Sequence, residues 1–415
     1  MTQRHGMITI PFRRHATTTA AICTALLLGL ALLFPCAPQA HAEDSPTQCQ
    51  AGVENYIRNT PWTNDLFDLD ALHRNYTGEG VTVAVIDSGI SPNNPHLKDA
   101  VVEGTSFVPN DSSKGLHDVY AHGTIVAGII GARRIPNSAV VGIAPGVRLM
   151  PIRVFEALRE ENGQTVGNAN LYTLADAIRY AVDHGAKVIN LSMSDTHDIP
   201  QMREAVEYAS SHGALVVASA GNRLTSASTV DGMRYPAAYP QVLGVSAVNP
   251  NLAASDDAVH GAQVDVTAPG DNIASTVPFG VDCAFSGASN TSYATAYVSG
   301  QAALIAARYP QETPAQWKQR ILVTANRAHP DRRDDRYGWG IIDPAASLQV
   351  VLAGNLRGPD LNGESTPPRM QQSQDGIVLA PQTDPNVQAK RVAVILIIVT
   401  AMVCAFSWLH TLRKT

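Results

Sequence analysis

Apolar runs of two lengths alternate through the middle of the chain. Short, near-continuous runs of Val, Ile and Leu are typical of strands that are buried on both faces of a sheet. Five such runs predict strands, at Val81–Ile86, Val147–Ile152, Lys187–Leu191, Ala214–Ser219 and Val242–Val248. Longer apolar runs between them predict helices, at His122–Ile130, Leu171–His184, Met202–His212 and Tyr293–Arg308. This alternation predicts an α/β fold with a mostly parallel central sheet and helices on both faces.

The N-terminal end of the chain carries an apolar stretch outside this alternation. The basic pair Arg13–Arg14 precedes an apolar run at Ala20–Phe34, and Ala40–Ala42 has the small-residue pattern of a cleavage site. This order is typical of an export signal, so we expect residues 1–42 to be a signal peptide. An uncleaved membrane anchor is the alternative interpretation.

The C-terminal part predicts a tether followed by a membrane span. Residues 353–389 are rich in Pro, Gln, Gly, Ser and Asp, which is typical of a flexible linker. Residues 390–409 contain an uncharged apolar stretch long enough to cross a bilayer, so we expect a transmembrane helix there and a cytoplasmic tail at residues 410–415. A buried helix and a sorting tail are the alternatives. Together with the export signal, this predicts a single-pass cell-membrane protein whose folded part is extracytoplasmic.

The folded part divides into a short N-terminal extension and a large domain. In residues 43–75, Leu66, Leu69 and Leu72 keep helical spacing, whereas residues 76–352 hold the alternation of strands and helices. Hydrophobic residues make up 45% of the 415 residues and charged residues only 16%, which is ample material for a core. The net charge of −6 and the lack of a Lys/Arg run between the two ends argue against nucleic acid as a partner.

Three separated segments carry side chains that are suited to nucleophilic catalysis. Asp87 ends the first predicted strand, His122 opens a helix of small residues, and Ser292 precedes another such helix. Helix N-termini leave backbone N–H groups unpaired, so a hydroxyl there lies beside a site that favours negative charge. A serine hydroxyl is a poor nucleophile at neutral pH and needs a base within hydrogen-bond distance. A carboxylate, an imidazole and a hydroxyl in this order fit such a site.

The three segments resemble the signature motifs of the subtilisin-like serine proteases, or subtilases. Asp87–Gly89 matches their D-[ST]-G pattern, His122–Gly128 matches H-G-T-x-V-A-G, and Thr291–Gly300 follows most of G-T-S-x-A-x-P-x-V-A-G. The resemblance implies a subtilisin-like fold and the hydrolysis of peptide bonds without a cofactor. It also implies that the carboxylate, imidazole and hydroxyl named above form the catalytic triad.

A second serine close to the last motif is the weaker candidate for the nucleophile. Ser289 follows Gly287 and Ala288, so it resembles a Gly-x-Ser pattern as well as Ser292 does after Asn290 and Thr291. Counted from Ser292, the alanine, valine and glycine of the family pattern fall at plus two, plus six and plus eight, whereas counted from Ser289 none of them does. Ser292 is therefore the predicted nucleophile.

Two further segments resemble other parts of the subtilase site. Gly221 and Asn222 resemble the family's A-G-N sequence, which implies Asn222 as an oxyanion donor together with the backbone N–H of Ser292, and Gly221 as a substrate-binding residue. The residues after the third predicted strand resemble the segment with which subtilases pair an extended substrate backbone: Ser192, Met193 and Ser194. Met193 suggests an apolar wall for the substrate pocket, or else a methionine of the core.

Four positions depart from the family pattern. They are Ala121, ahead of the His-Gly-Thr motif, and Asn290, Ala296 and Ser299 around the serine. In the family pattern these positions hold glycine, glycine, proline and alanine. Asparagine is the best substitute for glycine where a turn needs positive φ, but its side chain could crowd the substrate channel. These departures leave the mechanism intact and argue against high general activity.

Cysteines and carboxylates give two more expectations. Three of the five cysteines lie in apolar terminal segments, which leaves Cys49 and Cys283 for the exported body. Because exported proteins can keep disulfides, we expect a Cys49–Cys283 bond that ties the extension across the core. Two free buried thiols are the alternative. No cluster of Asp and Glu has the spacing of a metal site, so no metal is predicted.

The overall layout resembles that of the mycosins, membrane-anchored subtilases of type VII secretion systems. By that resemblance, the substrates would be exported polypeptides, and the protease would dock on the membrane complex of the secretion system. Two other functions stay open. One is a structural subunit that stabilises such a complex with little proteolysis. The other is a general surface protease that digests unfolded proteins.

Overall fold

The structure, a computed structural model, describes most of the predicted extension and domain. The described residues are 55–155, 159–161, 164–166, 169–223, 229–286, 290–352 and 356–359. The predicted signal peptide, transmembrane helix and cytoplasmic tail lie outside these ranges, as do most of the linker, Cys49 and Ser289. Among the described helices, none combines the length and the apolar character that crossing a bilayer requires.

A parallel sheet lies at the centre of the described chain. The strands are β1 (Thr82–Asp87), β2 (Thr105–Ser106), β3 (Arg148–Arg153), β4 (Arg159–Glu161), β5 (Gln164–Val166), β6 (Val188–Leu191), β7 (Leu215–Ser219), β8 (Leu243–Val248), β9 (Val266–Pro269), β10 (Ile273–Thr276) and β11 (Asp282–Phe285). Seven of them form one sheet in the order β2-β3-β1-β6-β7-β8-β9, and every neighbouring pair in it is parallel. β4 with β5 and β10 with β11 form separate antiparallel pairs. The five predicted strands all belong to the large sheet and agree with it to within one residue.

The described residues also form eight α-helices. They are α1 (Trp62–Leu66), α2 (Leu69–His73), α3 (His122–Gly131), α4 (Leu171–Asp183), α5 (Pro200–Ser211), α6 (Thr291–Arg308), α7 (Pro314–Thr324) and α8 (Pro344–Gln349). The four predicted helices correspond to α3, α4, α5 and α6 and agree to within two residues at each end. The predicted parallel α/β architecture is therefore confirmed.

The leucines of the extension belong to two short helices that are separated by a break. Asp68 lies between α1 and α2 with a φ of 44°, and its carboxylate accepts a 3.2 Å hydrogen bond from the backbone N–H of Ala71. The aspartate thereby caps α2 and ends the regular spacing of the leucines. Leu69 and Leu72 are buried, whereas Leu66 is 37% exposed.

Alternate residues of β1 face the two sides of the sheet. Val83 and Val85 pack in the core formed with α3 and α6, whereas Ala84 and Ile86 pack in the core formed with α4 and α5. This is the period of two that a strand imposes on its side chains. Both faces are covered, which explains why the strands read as continuous apolar runs rather than as alternating ones.

Helix α6 crosses the core and is buried along most of its length. Fifteen of its 18 residues are buried. Small residues allow the close packing, since a Cβ added to Gly300 would lie only 2.7 Å from the Cβ of Ile143. The first turn of α6 lies beside the carboxyl ends of β6 and β7. The predicted nucleophile is therefore held at the edge of a parallel sheet where active sites occur.

His96 and Asp282 form a hydrogen-bonded pair that is shielded from solvent. The Nε2 of His96 lies 2.8 Å from Oδ1 of Asp282, and both side chains are fully buried. The Nδ1 of His96 lies 2.6 Å from the carbonyl oxygen of Arg133. The second carboxylate oxygen accepts hydrogen bonds from the backbone N–H of Ile57 at 2.9 Å and from the hydroxyl of Ser138 at 2.6 Å. Asp282 thus joins the extension to the loop after α3 and to β11.

We predict that Asp282→Asn lowers the free energy of unfolding by about 1–3 kcal/mol, because the amide cannot accept every hydrogen bond that the buried carboxylate accepts. Urea denaturation measures this loss. Asp70→Asn is the matched control, since it breaks an exposed pair with Arg134, and the loss there should stay below about 1 kcal/mol. Equal losses in the two variants would show that the buried pair has no special role.

Candidate active site

The carboxylate of Asp87 meets the ring of His122 at the carboxyl end of β1. Asp87 is 1% exposed, and its two carboxylate oxygens lie 2.9 and 3.0 Å from Nδ1 of His122. The backbone N–H of Ser88 donates a further hydrogen bond of 2.8 Å to Oδ1 of Asp87. Nδ1 therefore carries its proton toward the carboxylate. In the neutral ring, Nε2 is then the nitrogen that can accept a proton.

The local backbone brings the start of α3 close to β1. A Cβ added to Gly123 would lie 2.0 Å from the carbonyl oxygen of Gly89, so the glycine of the His-Gly-Thr motif permits this approach. Ala121 has a φ of 65° and a ψ of −17°. This left-handed conformation costs a residue that carries a Cβ about 1–2 kcal/mol. The glycine that the family pattern has at this position would avoid that strain.

A second carboxylate, Asp118, lies beneath the start of α3. Its Oδ1 accepts a hydrogen bond of 2.7 Å from the hydroxyl of Ser88. Its Oδ2 accepts bonds of 2.8 and 2.5 Å from the backbone N–H and the hydroxyl of Thr124. Motif reasoning misses Asp118, because its only sequence signal is a carboxylate four residues before the histidine that opens a helix. The contacts make it a cap of the helix that positions His122.

Burial and charge act in opposite directions on the pKa of His122. Removal of the ring from water lowers the pKa, whereas the charge and hydrogen bond of Asp87 and the charge of Asp118 raise it. Taken together, the effects that raise the pKa outweigh the effect of burial, so the pKa of His122 lies above its ordinary value. The neutral imidazole therefore forms at a higher pH than in an isolated histidine.

We predict that Asp118→Asn moves the acid limb of the pH–activity profile to lower pH. This limb reports the protonation of the base in the free enzyme, and removal of a nearby negative charge lowers the pKa of an imidazolium. The kcat/KM for a chromogenic peptide, measured across pH, gives the midpoint independently of any loss in amplitude. Asp70→Asn removes an equal charge from α2 and should leave the midpoint in place. A midpoint that does not fall in Asp118→Asn would refute the electrostatic role.

Ser292 lies in the first turn of α6 and exchanges hydrogen bonds with Ser192. The hydroxyl of Ser292 donates to the backbone carbonyl of Ser192 at 3.1 Å, and the hydroxyl of Ser192 donates to the backbone carbonyl of Ser292 at 3.0 Å. The side-chain amide of Asn190 donates to the hydroxyl of Ser192, and its oxygen accepts from the hydroxyl of Ser299 at 2.9 Å. The serine that replaces the family's alanine at position 299 thus belongs to a buried network beneath the nucleophile.

The ring of His122 lies between two tyrosines. The centroids of His122 and Tyr293 are 6.0 Å apart with 25° between the ring planes, and those of His122 and Tyr120 are 6.3 Å apart with 27°. Tyr293 directly follows Ser292, so this contact places the turn that bears the predicted nucleophile near the imidazole. Burial raises the pKa of Tyr293 to about 12, so this ring stays neutral beside the histidine. Tyr120 is 52% exposed.

The side-chain amide of Asn222 follows β7 and is held in one orientation. Its Oδ1 accepts hydrogen bonds from the backbone N–H and the hydroxyl of Thr291, both at 2.9 Å. Its Nδ2 donates to Oδ1 of Asn290 at 3.1 Å, and the backbone N–H of Ser292 donates to the same oxygen at 2.8 Å. The two predicted oxyanion donors therefore converge on one point. Asn290 has a φ of −119°, so no left-handed turn accounts for the asparagine.

The residues predicted to bind substrate run past the end of β6 and have different surroundings. Ser192 is buried beneath the nucleophile, as described above. Met193 is half-buried and packs against the core between the sheet, α4 and α5, which agrees with the interpretation as a core methionine. Ser194 lies beside Gly221, where an added Cβ would be 3.0 Å from the Ser194 hydroxyl. The structure thus brings the predicted residues of both segments together at one edge of the sheet.

The match to a family model decides the class of this site. The model of the subtilase family, peptidase S8, matches residues 78–340. The chain belongs to the subtilase family. It is accordingly a serine peptidase, and the Asp87, His122 and Ser292 segments all lie within the matched residues.

Two curated relatives cover most of this subtilase. Subtilisin E of Bacillus subtilis (strain 168) is 36% identical over 299 residues, which cover 72% of this chain and 73% of subtilisin E. Mycosin-1 of Mycolicibacterium smegmatis (strain ATCC 700084 / mc(2)155) is 34% identical over 334 residues, covering 69% of this chain and 72% of mycosin-1. The similarity therefore extends to a subtilisin and to a mycosin.

Two solved structures resemble this subtilase. The crystal structure of MycP1 from Mycobacterium smegmatis has a TM-score of 0.63 and 29% identity, covering 75% of this chain and 92% of MycP1. The periplasmic assembly from the ESX-5 inner membrane complex contains a chain with a TM-score of 0.65 and 26% identity, covering 81% of this chain and 92% of that chain. The predicted resemblance to the mycosins is therefore confirmed.

Proposed function

We propose that this protease is a membrane-anchored, extracytoplasmic endopeptidase that cleaves peptide bonds through Asp87, His122 and Ser292. The observation that carries the proposal is the buried Asp87 carboxylate, 2.9 Å from Nδ1 of His122, in a site that also contains Ser292. In this mechanism, the Ser292 hydroxyl leaves the carbonyl of Ser192 and turns toward Nε2 of His122. His122 takes the proton as the oxygen attacks the scissile carbonyl, and then donates it to the leaving amine.

The negative charge on the attacked carbonyl oxygen requires two further donors. The backbone N–H of Ser292 and Nδ2 of Asn222 converge on the position where that oxygen would lie. Loss of one such donor typically costs about 2.7–4 kcal/mol of transition-state stabilisation. Asp87 holds the tautomer of His122 and stabilises the imidazolium. Water then hydrolyses the acyl-enzyme by the same steps.

We predict that Ser292→Ala abolishes labelling of the full chain by a fluorophosphonate, because this reagent reacts with an activated serine hydroxyl. Gel fluorescence of the labelled protein measures the reaction. Ser289→Ala tests the competing serine and should keep the label. A label that survives in Ser292→Ala and disappears in Ser289→Ala would transfer the nucleophile to Ser289.

The proposed location and substrates rest on sequence and similarity. The export signal at residues 1–42 and the apolar stretch at residues 390–409 support a single-pass anchor with the protease outside the membrane. Similarity to mycosin-1 and to a chain of the ESX-5 periplasmic assembly supports docking on a type VII secretion complex. The substrates would then be polypeptides exported by that system.

The contacts of the extension support a segment that stays in place. Phe67, Leu69 and Leu72 belong to the main core, and the hydroxyl of Tyr297 in α6 donates to the hydroxyl of Thr63 at 3.1 Å. Release of the extension would expose these apolar side chains and remove a partner from α6. A permanent clamp is therefore favoured over a removable pro-segment, which argues against a general surface protease.

We predict that the proposed Cys49–Cys283 disulfide appears in a non-reducing peptide map. The backbone N–H of Asp282 donates to the carbonyl of Asn55 at 3.0 Å, so the chain six residues after Cys49 lies beside Cys283. An extended chain covers about 3.3–3.6 Å per residue, which makes the distance easy to span. Cys49→Ser and Cys283→Ser should each lower the free energy of unfolding by about 2–5 kcal/mol. Alkylation of both thiols without reductant would exclude the bond.

A structural subunit with little proteolysis is the second candidate function. The observation that favours it is the contact of Asn290 with both oxyanion donors, which leaves no unoccupied position for a substrate carbonyl. Secretion measured in cells with the gene deleted, and in cells with Ser292→Ala, separates the two functions. Secretion that fails on deletion and survives in Ser292→Ala supports the structural role. Loss of substrate processing in Ser292→Ala supports the peptidase.

A further inference from the structure

The oxyanion site described above holds an oxygen atom of the chain itself. Nδ2 of Asn222 and the backbone N–H of Ser292 donate to the single oxygen Oδ1 of Asn290, at 3.1 and 2.8 Å. These are the distances, about 2.7–3.1 Å, at which such donors stabilise a reacting oxygen. The side-chain amide of Asn290 therefore takes the place of a substrate's carbonyl group.

Ordinary helix capping explains only one of these two bonds. An asparagine before a helix accepts a bond from the backbone N–H two residues on, as Asn170 does from Tyr172 at 2.9 Å at the start of α4. The bond from Asn222 has no such local cause, because Asn222 lies 68 residues away along the chain. Its amide is aimed at Asn290 by the two bonds from Thr291. Two independent constraints thus place both donors on one oxygen.

The hydroxyl of Ser292 also lacks the orientation that attack on a substrate requires. The Ser292 hydroxyl donates to the backbone carbonyl of Ser192 at 3.1 Å, and it must turn away from that carbonyl before it can give its proton to His122. Binding of a substrate must therefore cause two changes before the serine attacks. Its carbonyl oxygen displaces Oδ1 of Asn290, and its binding aligns the Ser292 hydroxyl with the imidazole.

We propose that Asn290 is an autoinhibitory residue whose side-chain oxygen competes with the substrate for the oxyanion site. The inference rests on the proposed peptidase function. A competitor within the site multiplies KM by the same factor for every substrate. A short peptide with few contacts is then scarcely bound at working concentrations. A long polypeptide that pairs with the extended segment at 192–194 retains enough binding energy to displace the amide.

Two variants of the full chain remove the competing oxygen. Asn290→Gly and Asn290→Ala should each raise kcat/KM for a short peptide ester by on the order of 10- to 100-fold, the effect of two ordinary hydrogen bonds lost to the competitor. The gain should appear mainly as a lower KM. A peptide aldehyde, whose adduct places an oxygen in the same site, should bind more tightly by the same factor.

A third variant separates the oxygen from the bulk of the side chain. Asn290→Asp keeps the acceptor in place and remains a good helix cap, but its charge strengthens both hydrogen bonds. Its kcat/KM should therefore fall below that of the wild type. Asn170→Gly and Asn170→Ala make the same cap changes at α4 and should leave kcat/KM unchanged.

The outcomes distinguish this inference from the proposed function. If Asn290→Gly and Asn290→Ala react with a fluorophosphonate but show no gain in kcat/KM, competition by Asn290 is excluded and the peptidase function stands. An equal gain in the Asn170 variants, or a gain in Asn290→Asp, would also exclude it. If no variant is labelled at Ser292, the peptidase function fails, and this inference fails with it.

Discussion

Close packing of two helices against the sheet determines the distances in the active site. Helices α3 and α6 both begin at the carboxyl edge of the sheet, with His122 and Ser292 in their first turns. Gly123 lets α3 approach β1, and Gly300 lets α6 approach its neighbours deep in the core. Interiors packed at crystal-like density do not allow either helix to shift freely. The separation of His122 and Ser292 is therefore set largely by the small residues that permit this packing.

The N-termini of these two helices have different electrostatic uses. A helix N-terminus favours negative charge. At α3, that preference is met permanently by Asp118, which accepts hydrogen bonds from the first turn. At α6, the neutral oxygen of Asn290 accepts the hydrogen bond in the structure, and in the proposed mechanism an anion would exist there only while a peptide carbonyl is under attack. The same backbone feature thus holds the segment of His122 in one case and would stabilise the reacting oxygen in the other.

The sequence predicts the central sheet well because its strands are buried on both faces and appear as uninterrupted apolar runs. The elements that it misses lack that signal. β10 and β11 are only four residues long, and the break between α1 and α2 depends on the left-handed backbone of Asp68. The start of helix α7 has a recognisable sequence signal, because Thr313 and Gln316 form a capping box in its first turn. Its apolar pattern alone is too weak to predict it.

Motif spacing finds the residues that carry the chemistry, but not the contacts that tune them. Asp87, His122 and Ser292 stand in patterns that can be recognised in one dimension. The role of Asp118 and the pairing of Asn222 with Asn290 depend on which loops the fold brings together. Such contacts join residues that lie far apart along the chain, so a local window of sequence contains no signal for the partner.

The paired hydrogen bonds between Ser192 and Ser292 have a consequence for which peptide bond of a bound polypeptide would be cleaved. They couple the strand end beside which an incoming chain would lie to the turn that bears the hydroxyl. In the proposed mechanism, the bond from the hydroxyl of Ser192 to the carbonyl of Ser292 remains when the Ser292 hydroxyl turns toward His122. A bound chain that shifts its pairing register by one residue turns its side chains to the opposite face. A different peptide bond of that chain then lies beside the hydroxyl of Ser292. In the proposed mechanism, this coupling would keep the pairing segment and the attacking hydroxyl in a fixed register, which would favour cleavage at one position of the bound chain.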